Sequence, residues 1–194
     1  MRHNVMVLGT NGMLGSMLVR RWSDDTRFAL FGGVRRAIAP GLGGKLKATL
    51  DGLNAMAFAE TEQARFGAFI CQNKIDVLVN CIGVIKQRAG GQDPVETVAV
   101  NALFPHQIAQ IASANGARMI HISTDCVFSG TKGGYSESDT PDALDFYGRS
   151  KALGEVGQPH LTLRTSIIGP ELSVAEGLGL LAWLLRQKGP TVPG

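Results

Sequence analysis

Short apolar runs alternate with stretches whose apolar residues recur at helical spacing along the whole chain. The runs at 5–8, 28–31, 45–50, 76–81, 118–122 and 160–165 predict six buried strands. Between them, Met13, Leu14, Met17, Leu18 and Trp22 predict a first helix, and the same periodicity predicts helices over 60–71, 94–114 and 146–156. Pro105 falls inside the third of these. It predicts a kink or a fresh first turn there, because proline has no N–H to give to the helix ladder. Residues 129–142 are polar and glycine-rich and include a proline, which predicts a loop. A last amphipathic stretch over 174–187 carries Leu178, Leu181, Trp183, Leu184 and Leu185. Strands and helices that alternate in this way predict an α/β fold, a doubly wound parallel sheet with helices on both faces.

The first junction carries the most specific local signal. Val5-Met-Val-Leu8 runs directly into Gly9-Thr-Asn-Gly12-Met-Leu-Gly15, a G-x-x-G-x-x-G spacing at a strand-to-helix turn. A turn with little side chain lets the backbone approach a pyrophosphate, and the helix behind it offers unpaired N–H groups and its positive dipole end to the anion. The junction predicts a dinucleotide site built from Gly9, Thr10, Asn11, Gly12, Met13, Leu14 and Gly15. The end of the second strand bears on which dinucleotide. An NAD site places an acidic residue roughly 20 positions past the glycines, on the ribose 2′-hydroxyl. Arg35 and Arg36 stand in that neighbourhood instead, and two guanidiniums suit a 2′-phosphate. NADP(H) is the expected cofactor, with NAD(H) as the alternative; the competing reading is a pair of solvated arginines.

A second signal is Tyr147-Gly-Arg-Ser-Lys151, which puts a tyrosine and a lysine on one face of a helix. A phenol with a pKa near 10 exchanges protons poorly at neutral pH unless a nearby cation favours its phenolate. Lys151 can supply that cation and can also reach a cofactor ribose. The pair follows a strand that ends in Ser123-Thr124. A hydroxyl to polarise a carbonyl, a phenol to protonate it and a lysine to tune the phenol make up a ketone-reduction apparatus.

With these residues in place, the chain resembles an extended short-chain dehydrogenase/reductase of the dTDP-4-dehydrorhamnose reductase-like (RmlD-type) sugar-nucleotide family. The resemblance rests on Gly9-Thr-Asn-Gly-Met-Leu-Gly15, Val79-Asn-Cys-Ile-Gly83, Ile122-Ser-Thr-Asp-Cys-Val-Phe128, Tyr147-Gly-Arg-Ser-Lys151 and Leu163-Arg-Thr165, in family order. It implies an NAD(P)-binding Rossmann fold and NADPH-dependent reduction of a nucleotide-linked 4-keto-6-deoxysugar for polysaccharide biosynthesis. Thr124, Tyr147 and Lys151 would be catalytic. Gly9, Gly12 and Gly15 would face the pyrophosphate, Asp51 and Gly52 would lie by the adenine, and Cys81, Ile82 and Gly83 would pass the nicotinamide ribose. Thr124, Asp125 and Arg164 would meet the sugar nucleotide. For Asp51 and Asp125 the competing reading is strand-end capping. Asn101 matches a helix asparagine of the wider superfamily, although a polar helix position needs no special role. Cys126 stands where many relatives carry an aromatic residue. A sugar-nucleotide epimerase or dehydratase of the same fold, and a non-catalytic NADP-binding regulatory subunit, are the alternatives.

Composition narrows the classes further. The net charge of +3 is dispersed, and no Lys/Arg run exceeds a pair, which argues against nucleic acid as a partner. No apolar stretch approaches a membrane span, and the N-terminal residues lead into a strand without a signal-type apolar region. Cys71, Cys81 and Cys126 are odd in number and far apart, as expected of free thiols in a reducing cytoplasm, and no Cys/His cluster has metal-ligand spacing. The expected setting is cytoplasmic, with a homodimer permitted. Residues 1–170 read as the Rossmann domain. Residues 171–194 read as the start of a substrate-binding part that is cut short, since family members continue well beyond this length.

Overall fold

The computed structural model describes residues 2–85, 93–172 and 179–187. Six strands, β1 (His3–Leu8), β2 (Phe28–Gly33), β3 (Ala48–Leu50), β4 (Val77–Asn80), β5 (Arg118–Ser123) and β6 (Leu161–Arg164), form one sheet in the order β3-β2-β1-β4-β5-β6. Every neighbouring pair is parallel. The connections are helical: α1 (Met13–Trp22), α2 (Glu60–Gln72), α3 (Pro94–Thr97), α4 (Phe104–Ala114) and α5 (Phe146–Leu153), with α6 (Leu180–Arg186) after β6. The order reverses between β1 and β4. That switch point leaves a crevice beyond the carboxyl ends of the two strands.

β1 is buried on both faces, so its apolar run is continuous, yet its residues still alternate between two cores. Met6 and Leu8 pack with Leu78, with Phe66 and Ile70 of α2 and with Phe104 and Ile108 of α4. Val5 joins Leu30 and Val79 beside Leu18 and Trp22 of α1, and Val7 joins Val19 and Leu42. The first cluster holds most of the fully buried bulk, with Phe58 edge-on to both Phe66 and Phe104 at 5.8 and 5.0 Å between ring centres.

The glycine turn is forced by two contacts. Gly9 has φ +78°, a backbone region that β-carbons disfavour. A β-carbon on Gly15 would lie 2.3 Å from the Gly9 carbonyl oxygen, so only glycine lets α1 start this close to the end of β1.

Several boundaries differ from the sequence expectation. Strand three is only Ala48–Leu50, because Lys45 closes a 3-10 turn over Gly43–Lys45 before the chain turns extended at Leu46. β2 runs two residues further than expected, to Gly33, paired with β1 throughout. Helix α5 ends at Leu153 rather than at 156; Gly154 caps it, packed against the Asn101 carbonyl where a β-carbon would sit 1.9 Å away. Pro105 does begin a fresh turn. A π-helical stretch, Val98–Leu103, joins α3 to α4, with Pro105 in the first turn of α4, where a missing N–H costs least. Of the last amphipathic stretch, Leu180–Arg186 is helical, and residues 173–178, including Leu178, lie outside the described residues. No helix among the described residues is long and apolar enough to cross a membrane.

Replacing Gly15 with Ala is expected to cost about 1–3 kcal/mol of unfolding free energy, because the added methyl forces α1 off the β1 turn. Urea unfolding of the variant beside the unaltered chain measures it; an unchanged midpoint would mean that the turn tolerates the methyl.

Candidate functional site

The crevice at the switch point is a cleft of about 360 Å³. Gly9, Asn11 and Gly12 form one wall, Cys81, Ile82 and Gly83 another, and Val34, Arg35 and Arg36 close the far end. Helix α1 enters it uncapped: Gly12 is extended at the N-cap, no side chain caps the first N–H groups, and the first turn holds no acidic residue. An uncapped helix start with a glycine-lined approach is what an anionic pyrophosphate requires. Neither Arg35 nor Arg36 has an ion-pair partner among the described residues.

Asn11 ties the two halves of the cleft together. Its amide nitrogen donates to the Ala37 carbonyl at 3.0 Å, and its amide oxygen accepts from the Ala39 N–H at 2.9 Å. The arginine loop is thereby fastened to the glycine turn. Thr10, Met13, Leu14 and Gly15 do not line the cleft. Thr10 is fully buried and its hydroxyl has no hydrogen-bond partner in the structure. Asp51 and Gly52 also lie outside the cleft, in an exposed turn where Arg65 holds the Asp51 carbonyl at 2.8 Å. The wall there is made instead by Leu53, Asn54, Ala55 and Met56. They reach it because the Leu53 N–H donates to the Val34 carbonyl at 2.9 Å.

The tyrosine–lysine helix meets the same cleft from the β5 side. Lys151 is buried, donates to the Ile122 carbonyl at 2.8 Å and lies beside Gly83, with its Nζ 3.8 Å from where a Gly83 β-carbon would be. Asp145 caps α5 by accepting from the Gly148 N–H at 2.9 Å. Gly148 is pressed onto the Cys126 carbonyl, where a β-carbon would come within 2.2 Å. This contact brings the first turn of α5, which carries the half-buried Tyr147, against the 3-10 turn Asp125–Val127 that follows Thr124. Thr124 accepts from the Cys126 N–H and donates to the Asp125 carboxylate, both at 3.1 Å. The other Asp125 oxygen accepts from Ser166. That hydroxyl, chiefly, holds the Asp125 carboxyl below its usual range.

Beyond Thr124 a second groove, about 480 Å³, is lined by Asp125, Cys126, Phe128, Tyr135, Glu137 and Arg164, among others. Arg164 is not free there. It makes a bidentate pair with Glu155 at 2.9 and 2.7 Å and lies 4.9 Å over the Phe128 ring. Glu155 also accepts from Ser123 at 2.9 Å.

Further buried polar residues brace the site, among them Asn101, which the sequence had singled out. It accepts from the Val84 N–H at 2.8 Å and donates to the Val84 carbonyl and the Ser150 hydroxyl, both at 3.1 Å, so its helix position has a definite bracing role. Asn80, at the end of β4, and His121, inside β5, are fully buried and in contact at 3.0 Å. Burial shapes the charges. It lowers Lys151 to about 8 against the pull of Glu155, pushes the Cys81 thiol up to about 12, and lowers His121 to about 3 with Lys151 adding to the effect. All three cysteines are free, and among the described residues no cluster is placed to hold a metal.

A parallel sheet with this strand order and a glycine turn at its switch point defines the Rossmann class of dinucleotide-binding domains. The chain belongs to the RmlD substrate binding domain family, which it matches over residues 2–168, within the extended short-chain dehydrogenase/reductases. It is 30% identical over 197 residues to a probable low-salt glycan biosynthesis reductase, Agl14, of Haloferax volcanii, covering 96% of this chain and 62% of that one. It is 25% identical over 150 residues to methionine adenosyltransferase 2 subunit beta of Xenopus laevis, covering 77% and 41%. Among solved structures it is similar to a hypothetical dTDP-4-dehydrorhamnose reductase from Sulfolobus tokodaii, with TM-score 0.66 and 26% identity, covering 84% and 55%. The chain therefore spans less than two thirds of the length of each.

The buried histidines make stability depend on pH. His121 falls from an ordinary 6.5 to about 3, and burial lowers His160 as well. Between those values the unfolded chain binds protons that the folded chain refuses, so stability is full above pH 6.5 and declines as pH falls below it. His121 alone predicts a loss of about 2 kcal/mol between pH 7.5 and pH 5, with His160 adding in the same direction. Urea unfolding at the two pH values measures it; equal stability would contradict a neutral buried His121.

Proposed function

We propose that this chain binds NADP(H) in the glycine cleft and belongs to a reductase of a nucleotide-linked 4-keto-6-deoxysugar. The observation that carries the reading is the meeting of two features at Gly83: the glycine-turn cleft and the buried Lys151 amine four residues beyond Tyr147. The residues fit a dinucleotide. The uncapped start of α1 receives the pyrophosphate, Arg35 and Arg36 receive the 2′-phosphate, and the backbone from Cys81 to Gly83 flanks the ribose and nicotinamide. When bound, the cofactor supplies the hydride that reaches the sugar carbonyl carbon.

The chain's own residues handle the oxygen. Thr124, by turning its hydroxyl from Asp125 to the substrate, holds the carbonyl by a hydrogen bond, and Tyr147 gives that oxygen a proton. Lys151, held by the Ile122 carbonyl, stabilises the phenolate left behind and bonds the ribose. The groove lined by Asp125, Cys126, Phe128 and Arg164 takes the sugar nucleotide, with Arg164 held in place by Glu155. An epimerase or dehydratase on the same scaffold would recycle its cofactor, so net NADPH oxidation per product separates it from a reductase. The similarity to a methionine adenosyltransferase subunit favours one further reading, an NADP-binding partner subunit without turnover.

Replacing Tyr147 with Phe should lower NADPH-dependent reduction of a dTDP-4-keto-6-deoxysugar by about 100-fold or more while leaving NADPH affinity unchanged. Unaltered turnover would remove Tyr147 from the mechanism, and no turnover in the unaltered protein would favour the partner-subunit reading. Replacing Arg35 and Arg36 together with Ala should weaken NADPH binding about tenfold or more and leave NADH binding as it was. Equal loss for the two cofactors would contradict a 2′-phosphate contact.

A further inference from the structure

We propose that His121 is a positioning residue for Lys151. It stays a neutral imidazole with its proton on Nε2 and weakens the lysine's hold on its own proton, so that the ammonium can return a proton to the Tyr147 phenolate. The inference deepens the reading of Tyr147 and Lys151 as a proton-delivering pair and rests on it.

One donor in this chain of contacts cannot turn around. The Ile82 backbone N–H donates to the Asn80 amide oxygen at 3.1 Å. That bond fixes which end of the Asn80 amide faces β5: its nitrogen, 3.0 Å from His121 Nδ1. A donor facing Nδ1 requires a lone pair there, so a neutral ring carries its proton on Nε2. Nε2 in turn lies 3.5 Å from Lys151 Nζ, a long contact between two nitrogens. If Lys151 is an ammonium, an N–H meets an N–H across that gap. If it is an amine, its lone pair can accept the imidazole proton while another N–H still bonds the Ile122 carbonyl at 2.8 Å. Every link has one polarity, and that polarity favours the neutral lysine.

Burial makes this polarity matter, since His121 and Lys151 are 0% and 4% exposed and water cannot substitute for a missing partner. The other groups facing the pair act on both sides. Glu155, just beyond α5, draws Lys151 back toward ammonium, as does Cys81 at the end of β4 to a lesser degree. Lys151 and His106 of α4 both disfavour a positive charge on His121. The downward displacement of Lys151, with burial as its first cause, agrees in direction with what the hydrogen-bond polarity requires.

Two NMR readouts on the full chain, without cofactor or substrate, test this independently of whether turnover is ever observed. Long-range proton–nitrogen correlations report the His121 tautomer, and a pH titration of the Lys151 Cε signal, assigned by its loss in Lys151→Arg, reports the lysine midpoint. The expected result is the Nε2–H tautomer and a midpoint well below that of an ordinary lysine. Asn80→Asp is close to isosteric and keeps an acceptor for the Ile82 N–H, but it offers Nδ1 an acceptor instead of a donor. It should move the ring proton to Nδ1, turn Nε2 toward the ammonium as an acceptor, and raise the lysine midpoint by about one pH unit or more. An Nδ1–H tautomer in the unaltered chain overturns the proposal, and does so even if Asn80→Asp fails to fold. A tautomer switch without a change in midpoint overturns it too, and a raised midpoint without a switch assigns the effect to the new charge and overturns it as well.

Discussion

The approach of α1 to the turn that precedes it constrains everything at the carboxyl edge of the sheet. With Gly15 lying over the Gly9 carbonyl, the helix begins directly at the turn, and no side chain caps its first N–H groups. The same turn abuts Cys81 and Ile82 at the end of β4, so the two strands at the switch point share one cleft. Asn11 extends the arrangement outward by fastening the arginine loop to the turn. A change that moved α1 outward would therefore alter the phosphate-facing wall, the backbone beside Gly83 and the position of Arg35 and Arg36 together.

A second constraint lies behind the cleft. A lysine, a histidine and two asparagines are buried at the inner ends of β4 and β5 and in the helix beside them, in a region where each unpaired polar atom would carry the full desolvation penalty. The structure meets that requirement by joining them: Asn101 to the Val84 backbone and Ser150, Asn80 to Ile82 and His121, and Lys151 to Ile122. The Ile122 carbonyl holds the lysine beside Gly83, and burial there keeps it below its ordinary range.

Much of this was legible along the chain. Strands buried on both faces leave continuous apolar runs, and the glycine spacing marks the turn because no other residue fits it, so the doubly wound sheet and the inner cleft follow from local pattern. The adenine end was less legible. Asp51 looked suited to it, but β3 stops at Leu50 and the Val34–Leu53 backbone bond brings Leu53 to Asn54 to the wall instead. Arg164, which the resemblance sets against the sugar nucleotide, is held by Glu155, which lies just past α5 in a stretch that periodicity ran through as helix. His121 carried no signal, and Asn80 appeared only within the Val79–Gly83 run, with no role attached to its side chain. A polar residue at the end of an apolar run reads as the end of a strand, and only the register of β4 against β5 brings these two together.

Amide-resolved NMR of the chain during titration with NADPH tests the central claim, that the glycine turn at the switch point is built to hold the phosphates of a dinucleotide. The largest shifts are expected on Gly9 to Gly15 and on Cys81 to Gly83, with Arg35 and Arg36 following. Saturable binding that shifted amides elsewhere and left the α1 turn undisturbed would contradict it, as would no binding at all.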